Sequence, residues 1–234
     1  MVLVPEDNID VLSHRLFDGI LVIAWKPETF EVLEKLDGTP VVVVNRGDKD
    51  NQFHTVISDH RAGGRMVGDY LLDRGHRKLA MITKSPDWGA LARAEGMRTA
   101  METRGIPVDD QLFAFCDDGR LMYAHLKKIV DCGAEAVWVC GEDMLAPEAL
   151  YILQEVLGIK VPAELSVVGS ENPGISLYLR PSLTTLFQPL QGVAEAMVDL
   201  LAKLIECPEA QVDRVISMPN TLIERDSVAI RKVI

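Results

Sequence analysis

The chain has 234 residues, a formal net charge of −11, hydrophobic residues at 48% and charged ones at 25%. That length suffices for one large domain or two lobes with separate cores, and such ordinary composition excludes a chain disordered throughout. No apolar run approaches the ~20 residues of a membrane span, the start MVLVPEDNID lacks a secretion signal's basic region and cleavage site, and a pI near 4.9 argues against gripping a polyanion over a wide face.

GILVIAW (19–25) reads as a buried strand, followed by a helix that opens at Pro27 and ends near Gly38. PVVVVN (40–45) is the continuous apolar run a doubly covered parallel strand needs. From His60 to Arg74, residues Ala62, Met66, Val67, Tyr70 and Leu71 fall at helical spacing. Strands are then predicted at 78–83, 111–115, 136–140, 165–169, 184–187 and near 212–218, and helices at 89–104, 120–131, 144–157 and 189–206. Strand–helix alternation with short turns implies an α/β fold of doubly wound parallel sheets, helices covering both faces.

One stretch resists that simple pattern. LLDRGHRKLAMITK (71–84) crowds Arg74, His76, Arg77 and Lys78 together in an acidic chain. Either they contact a phosphate or a nucleic acid, or a helix stops here and a strand begins. Gly75 sits where a helix needs a residue of positive φ. Basic side chains around it would face the negative end of the helix dipole, at about 0.3–1 kcal/mol each. The helix-stop reading is preferred, and it recurs at Arg104–Gly105, Cys132–Gly133 and Leu157–Gly158. Cys116, Cys132, Cys140 and Cys207 show no C-x-x-C spacing, so reduced, buried thiols are expected rather than a metal or redox motif.

Five segments follow one another in a telling order: GGRMVGDYLLDRGHRKLAMIT, RAEGMRTAMETRGI, VPAELSVVGSENP, RPSLTTLFQPLQGVAEAMVDLL and LIERDSV. Together they resemble the effector-binding core of the LacI–GalR family of bacterial transcription regulators, over about residues 16 to 228. The LTT…QP segment and the terminal LIER.S favour the regulators over the related periplasmic sugar-binding proteins. The latter remain the alternative, as ligand-delivering parts of a transport system.

The resemblance implies two similar α/β lobes of the type I periplasmic-binding-protein kind, joined by three crossovers, with a small effector in the cleft between them. The crossovers are expected near Ser58–Asp59, Phe187–Gln188 and Pro219–Asn220. The first lobe would hold 1–58 and 189–218, and the second 59–187 and 219–234. The chain departs from the family in showing no helix-turn-helix headpiece or hinge helix. MVLV corresponds to the family's second strand, so the first lobe's opening strand–helix unit is expected to be absent.

In open α/β sheets, ligands bind beyond the carboxyl ends of the strands. Arg93, in RAEG, occupies the family's arginine position, where a guanidinium can give two hydrogen bonds to vicinal hydroxyls or a carboxylate. Glu142, in CGEDM, matches a family ligand position, while Asp143 beside it reads as a helix N-cap. Glu171 stands where the family usually has aspartate, its extra methylene altering the reach of the carboxylate. Asn45 and Gln188 match positions facing the cleft from the first lobe, although a turn asparagine can serve the backbone alone. Asp118 and Trp88 lie on loops at the same end of the second sheet. Trp88 either stacks on a sugar ring or covers a core edge.

No catalytic residues, metal site or cofactor are expected. The five histidines include no pair at metal spacing, and there is no G-x-S-x-G or Walker-type loop. The expected partners are a small effector (sugar, polyol or nucleoside), a second copy in a homodimer, and operator DNA through a headpiece this chain does not contain. No membrane contact is expected, and the protein should be cytoplasmic. Glu142 and Glu171 would repel anions, so a neutral sugar-like ligand is expected.

Overall fold

The computed structural model describes residues 17–23, 27–36, 38–46, 52–116, 119–141 and 144–231. The chain divides into two compact units, Met1–Ser58 with Pro189–Met218, and Asp59–Gln188 with Pro219–Ile234.

In the first unit, strands β1 (Ile20–Val22), β2 (Val41–Val44), β3 (His54–Ser58) and β9 (Val215–Met218) form a parallel sheet in the order β1-β2-β3-β9. Helix α1 (Pro27–Leu33) covers one face, packing Phe30 and Leu33 on Ile20, Val22, Val41 and Val43. Helix α6 (Leu190–Glu206) covers the other, packing Val193, Met197, Leu200 and Leu204 on Val42 and Val56. Successive valines of one strand thus enter opposite cores, because strand side chains alternate faces. The sequence pattern did not reveal β3, since His54, Thr55 and Ser58 interrupt its apolar run.

The second unit holds six strands in the order β10-β8-β7-β6-β4-β5. Their ranges are β4 (Leu79–Thr83), β5 (Phe113–Phe115), β6 (Ala136–Cys140), β7 (Ser166–Ser170), β8 (Thr184–Phe187) and β10 (Thr221–Ile223). All pair in parallel except β10, which runs antiparallel to β8. The purely parallel sheet expected from the sequence therefore carries an antiparallel edge. Only a three-residue strand makes that edge, too short to leave an alternating signature.

Helices α2 (His60–Asp73) and α3 (Trp88–Thr103) cover one face of this sheet, where Leu79, Met81, Ala136, Trp138 and Val168 meet Val67, Leu71, Met97 and Met101. Helices α4 (Gly119–Asp131) and α5 (Leu145–Tyr151) cover the other, meeting Ala80, Ile82, Val137, Val139 and Val167. The segment Ile152–Val156 continues α5 as a wider π turn.

The basic cluster at 74–78 closes α2. Gly75 has φ +88°, and its N–H and that of His76 reach the Leu72 and Leu71 carbonyls at 3.0 and 3.2 Å. Arg77 donates to the Leu72 and His76 carbonyls, and Lys78 donates to the Cys132 carbonyl at the end of α4. His76 differs from its neighbours: it is fully buried, donates from Nδ1 to Leu71 O and accepts from Ser166 Oγ at 2.9 Å. Burial pushes its pKa down, more than the Leu71 hydrogen bond raises it. It acts as a neutral bridge, not as a cation on the helix dipole. The thiols also depart from expectation, since Cys207 is exposed while Cys116 and Cys140 are buried.

Candidate functional site

Helices α2 and α3 cross unusually closely. A Cβ on Gly64 would collide with the Arg93 carbonyl oxygen, and one on Gly96 with the Arg61 carbonyl oxygen. Glycine is required at both positions because backbone meets backbone there. Asp59 and Asp87 cap the two helices, accepting from Ala62 N at 2.9 Å and Ala90 N at 2.8 Å. The crossing thereby fixes the first turns of α2 and α3 beside the end of β4, and it is this that places His60, Trp88 and Arg93.

Arg93 is 9% exposed. Its one hydrogen bond among the described residues is a long donation, 3.4 Å, to Gln188 Oε1. A guanidinium has five N–H donors, so most of its bonding capacity is unused. Its field reaches the ends of β4 and β6. Burial pushes the Cys140 thiol up to about 11, although Arg93 and the Thr83 hydroxyl pull the other way.

His60 is 2% exposed, and its Nδ1 has no hydrogen-bond partner among the described residues. Burial first, and then the Arg93 charge, lower its pKa to about 3 against a smaller opposing pull from Asp87. The imidazole is therefore neutral at physiological pH. Trp88 closes on it edge-first, with ring centroids 5.5 Å apart at 65°. Half-buried, the indole shields the imidazole and presents the rest of its surface outward.

Glu171 is placed differently from the expectation. Its side chain is 4% exposed and lies in an ion pair with Arg225, itself 15% exposed. The pairing is bidentate, at 2.8 Å to Oε2 and 2.9 Å to Oε1, and Thr185 Oγ donates to Oε2 as well. Burial alone would push this carboxyl up, but hydrogen bonds from Arg225 and Thr185 outweigh it and hold it below the usual range. Glu171 follows the last residue of β7, and Thr185 pairs in register with Gly169, so the carboxylate is turned toward β8 and already engaged there.

The remaining expectations divide. Gln188 stands beside Arg93 within the second unit, where the sequence placed it facing from the first. Asn45 ends β2 with φ 49°. Its Oδ1 accepts from Ser58 N and its own N–H donates to Val56 O, both at 3.0 Å, so it serves the backbone. Asp118, Glu142 and Asp143 lie outside the described residues. Among the described residues, no group of three or more His, Cys, Asp or Glu side chains could hold a metal ion. Two contributors escaped the sequence reading, His60 and Arg225. The first followed directly on the helix cap Asp59, and the second lay inside the LIERDSV segment without any sign of its partner.

In a two-unit α/β fold of this kind, ligands bind outside the carboxyl ends of the strands, where Arg93, His60 and Trp88 stand. The chain belongs to the periplasmic binding protein-like domain family, whose model matches residues 68–228. Within it, the chain resembles regulators of the LacI type. It is 33% identical over 227 residues to the HTH-type transcriptional repressor PurR of Serratia proteamaculans, and 31% identical over 228 residues to that of Pectobacterium atrosepticum. Each alignment covers 94% of this chain, which spans 65% and 66% of those relatives' lengths respectively.

Among solved structures, a LacI family transcriptional regulator from Enterococcus faecium with bound ribose superposes with a TM-score of 0.82 at 26% identity, covering 97% of this chain and 85% of its own. The transcription regulator CcpA of Lactococcus lactis shares the fold, with a TM-score of 0.83 at 24% identity, covering 95% of this chain and 82% of its own. These relatives are regulators, which favours that reading over the transport-protein alternative. No helix among the described residues is long and apolar enough to cross a membrane.

Proposed function

We propose that this chain is the effector-sensing and dimerising core of a cytoplasmic LacI-type transcriptional regulator. It binds a sugar-sized small molecule at the carboxyl ends of the second unit's strands, and it catalyses no reaction. DNA would be contacted by a further segment, which accords with the regulator relatives' greater length.

The observation that carries the reading is Arg93. A guanidinium held nine-tenths buried by a glycine-mediated helix crossing, with most of its donors unused, is organised for a ligand. The neutral His60 lies near it, with the half-buried Trp88 edge-on against that imidazole. Ligand binding would then shift the equilibrium between arrangements of the core, the usual route from a small molecule to an altered partner segment.

The test is thermal unfolding of the chain against sugars, polyols and nucleosides at millimolar concentration, with sedimentation alongside. The expected result is a dimer whose Tm rises with one class of compound, and an Arg93→Ala variant that loses the response. A response that ignores Arg93, or a strictly monomeric protein, would remove the reading.

A further inference from the structure

Charge in the second unit is distributed in a way that bears on the ligand's chemistry. The neutral-ligand expectation rested on two carboxylates facing the site. One of them, Glu171, is neutralised: Arg225 takes both of its oxygens and Thr185 takes one again. Arg93, by contrast, has no carboxylate partner among the described residues. Asp87, the cap of the same helix, already spends Oδ1 on Ala90 N and Oδ2 on Ser85 Oγ. His60 is neutral and supplies no countercharge.

The described part of the site is thus a buried cation with unused donors, beside neutral side chains. We propose that the ligand carries an oxyanion, a carboxylate or phosphate group, which takes the unused N–H groups of Arg93. This rests on the effector-binding reading above and refines it.

The physical argument is one of matching. A neutral polyol offers hydroxyl oxygens to Arg93, but its own O–H protons would find no Glu171 carboxylate to accept them. No acid among the described residues would compensate the guanidinium either, at a cost in desolvation. A carboxylate or phosphate has no such surplus donors, accepts two parallel charge-assisted bonds from the planar fork, and supplies the missing countercharge. Half-buried Trp88, at the start of the same helix, would offer exposed indole surface to an apolar ring of such a ligand.

The test pairs each acid with its neutral parent. Glucuronate, gluconate and glucose phosphate are compared with glucose, galacturonate with galactose, and ribose phosphate with ribose. Thermal unfolding comes first, and calorimetry follows on whatever binds. At least one acid should bind about tenfold or more tightly than its parent, and the carboxylate and phosphate arms identify which group is taken. Arg93→Met, which keeps bulk but removes the fork, should weaken the acid by about ten- to a hundredfold. Lys127→Ala, at an exposed ion pair with Asp131 on α4, should bind like wild type. Parents that bind as tightly as their acids would overturn the oxyanion assignment while leaving the effector reading standing, as would an Arg93→Met variant that still prefers the acid. If no compound of either kind changes unfolding, the inference falls together with the reading beneath it.

Discussion

Arg225 and Arg93 are two guanidiniums withdrawn from water in the same unit, and their surroundings could hardly differ more. Arg225 makes a bidentate pair with Glu171 and also donates to Leu183 O at 2.6 Å and to Thr185 Oγ at 3.0 Å. Arg93, although 91% buried by its 9% exposure, makes one stretched contact with Gln188. The first arrangement ties the segment after β10 to β7 and β8, and it is complete without any other molecule. The second is incomplete among the described residues. Burying a charge without its partner is costly, so a fold that keeps Arg93 there is spending stability that a ligand can recover. The contrast separates a structural ion pair from a binding group where residue type alone does not.

Breaking the complete arrangement should have the largest effect. Glu171→Gln leaves Arg225 buried without countercharge and is expected to cost about 3 kcal/mol in urea unfolding. The same substitution in an Arg225→Met background should cost much less, a coupling of about 1.5–3 kcal/mol in the double-mutant cycle. Additive costs would show that the pair is not a unit.

The next effect concerns the scaffold that aims Arg93. Gly96→Ala puts a methyl group against the Arg61 carbonyl and must push α2 and α3 apart. A loss of about 1–3 kcal/mol is expected, accompanied by a changed Trp88 fluorescence. An unaltered stability would mean that the crossing tolerates separation and does not position the site.

Protonation sharpens the comparison further. His60 titrates near 6.5 when unfolded and near 3 when folded, so the unfolded chain alone takes up its proton between those values. Stability is fully present above pH 6.5 and falls as pH drops toward 3, with a slope approaching about 1.4 kcal/mol per pH unit for that one proton. His76, lowered in the same direction, adds to the decline. Glu171, whose folded pKa is depressed, adds again as pH falls through the carboxylate range. His60→Asn should have a shallower fall between pH 6.5 and pH 5 in a series of urea titrations, and an unchanged slope would contradict the assignment.

The smallest effect belongs to Arg93 itself. With no charged partner among the described residues to abandon, Arg93→Met should shift unfolding by no more than about 0.5–1 kcal/mol, and in the stabilising direction. A large loss would reveal a structural role and remove the contrast with Arg225.

Much of this was legible along the chain. The valine run 41–44 and the runs of β4 and β6 are continuous because helices cover both faces, and that requirement is local to each strand. Gly75 announced the end of α2 because a positive φ is a one-residue demand. Arg93 and Trp88 could be marked from the segment around them, and the structure places both at the start of one helix. The close crossing that buries Arg93 was not legible, since Gly64 and Gly96 look like ordinary weak points until two helices meet.

Residue type and spacing along the chain determined the alternation of strands and helices, the stops, and the presence of an arginine near the strand ends. Tertiary structure alone decided which charges met. Glu171 and Arg225 are 54 residues apart, and their union depends on β10 turning back antiparallel against β8. Periodicity reports which face of an element is apolar, a property summed over several residues. A salt bridge depends on the placement of two side-chain ends to within a few tenths of an ångström, which is fixed only when the sheet is assembled. For that reason the same sequence that suggested an acidic site folds into one whose described acid is already paired and whose described cation is not.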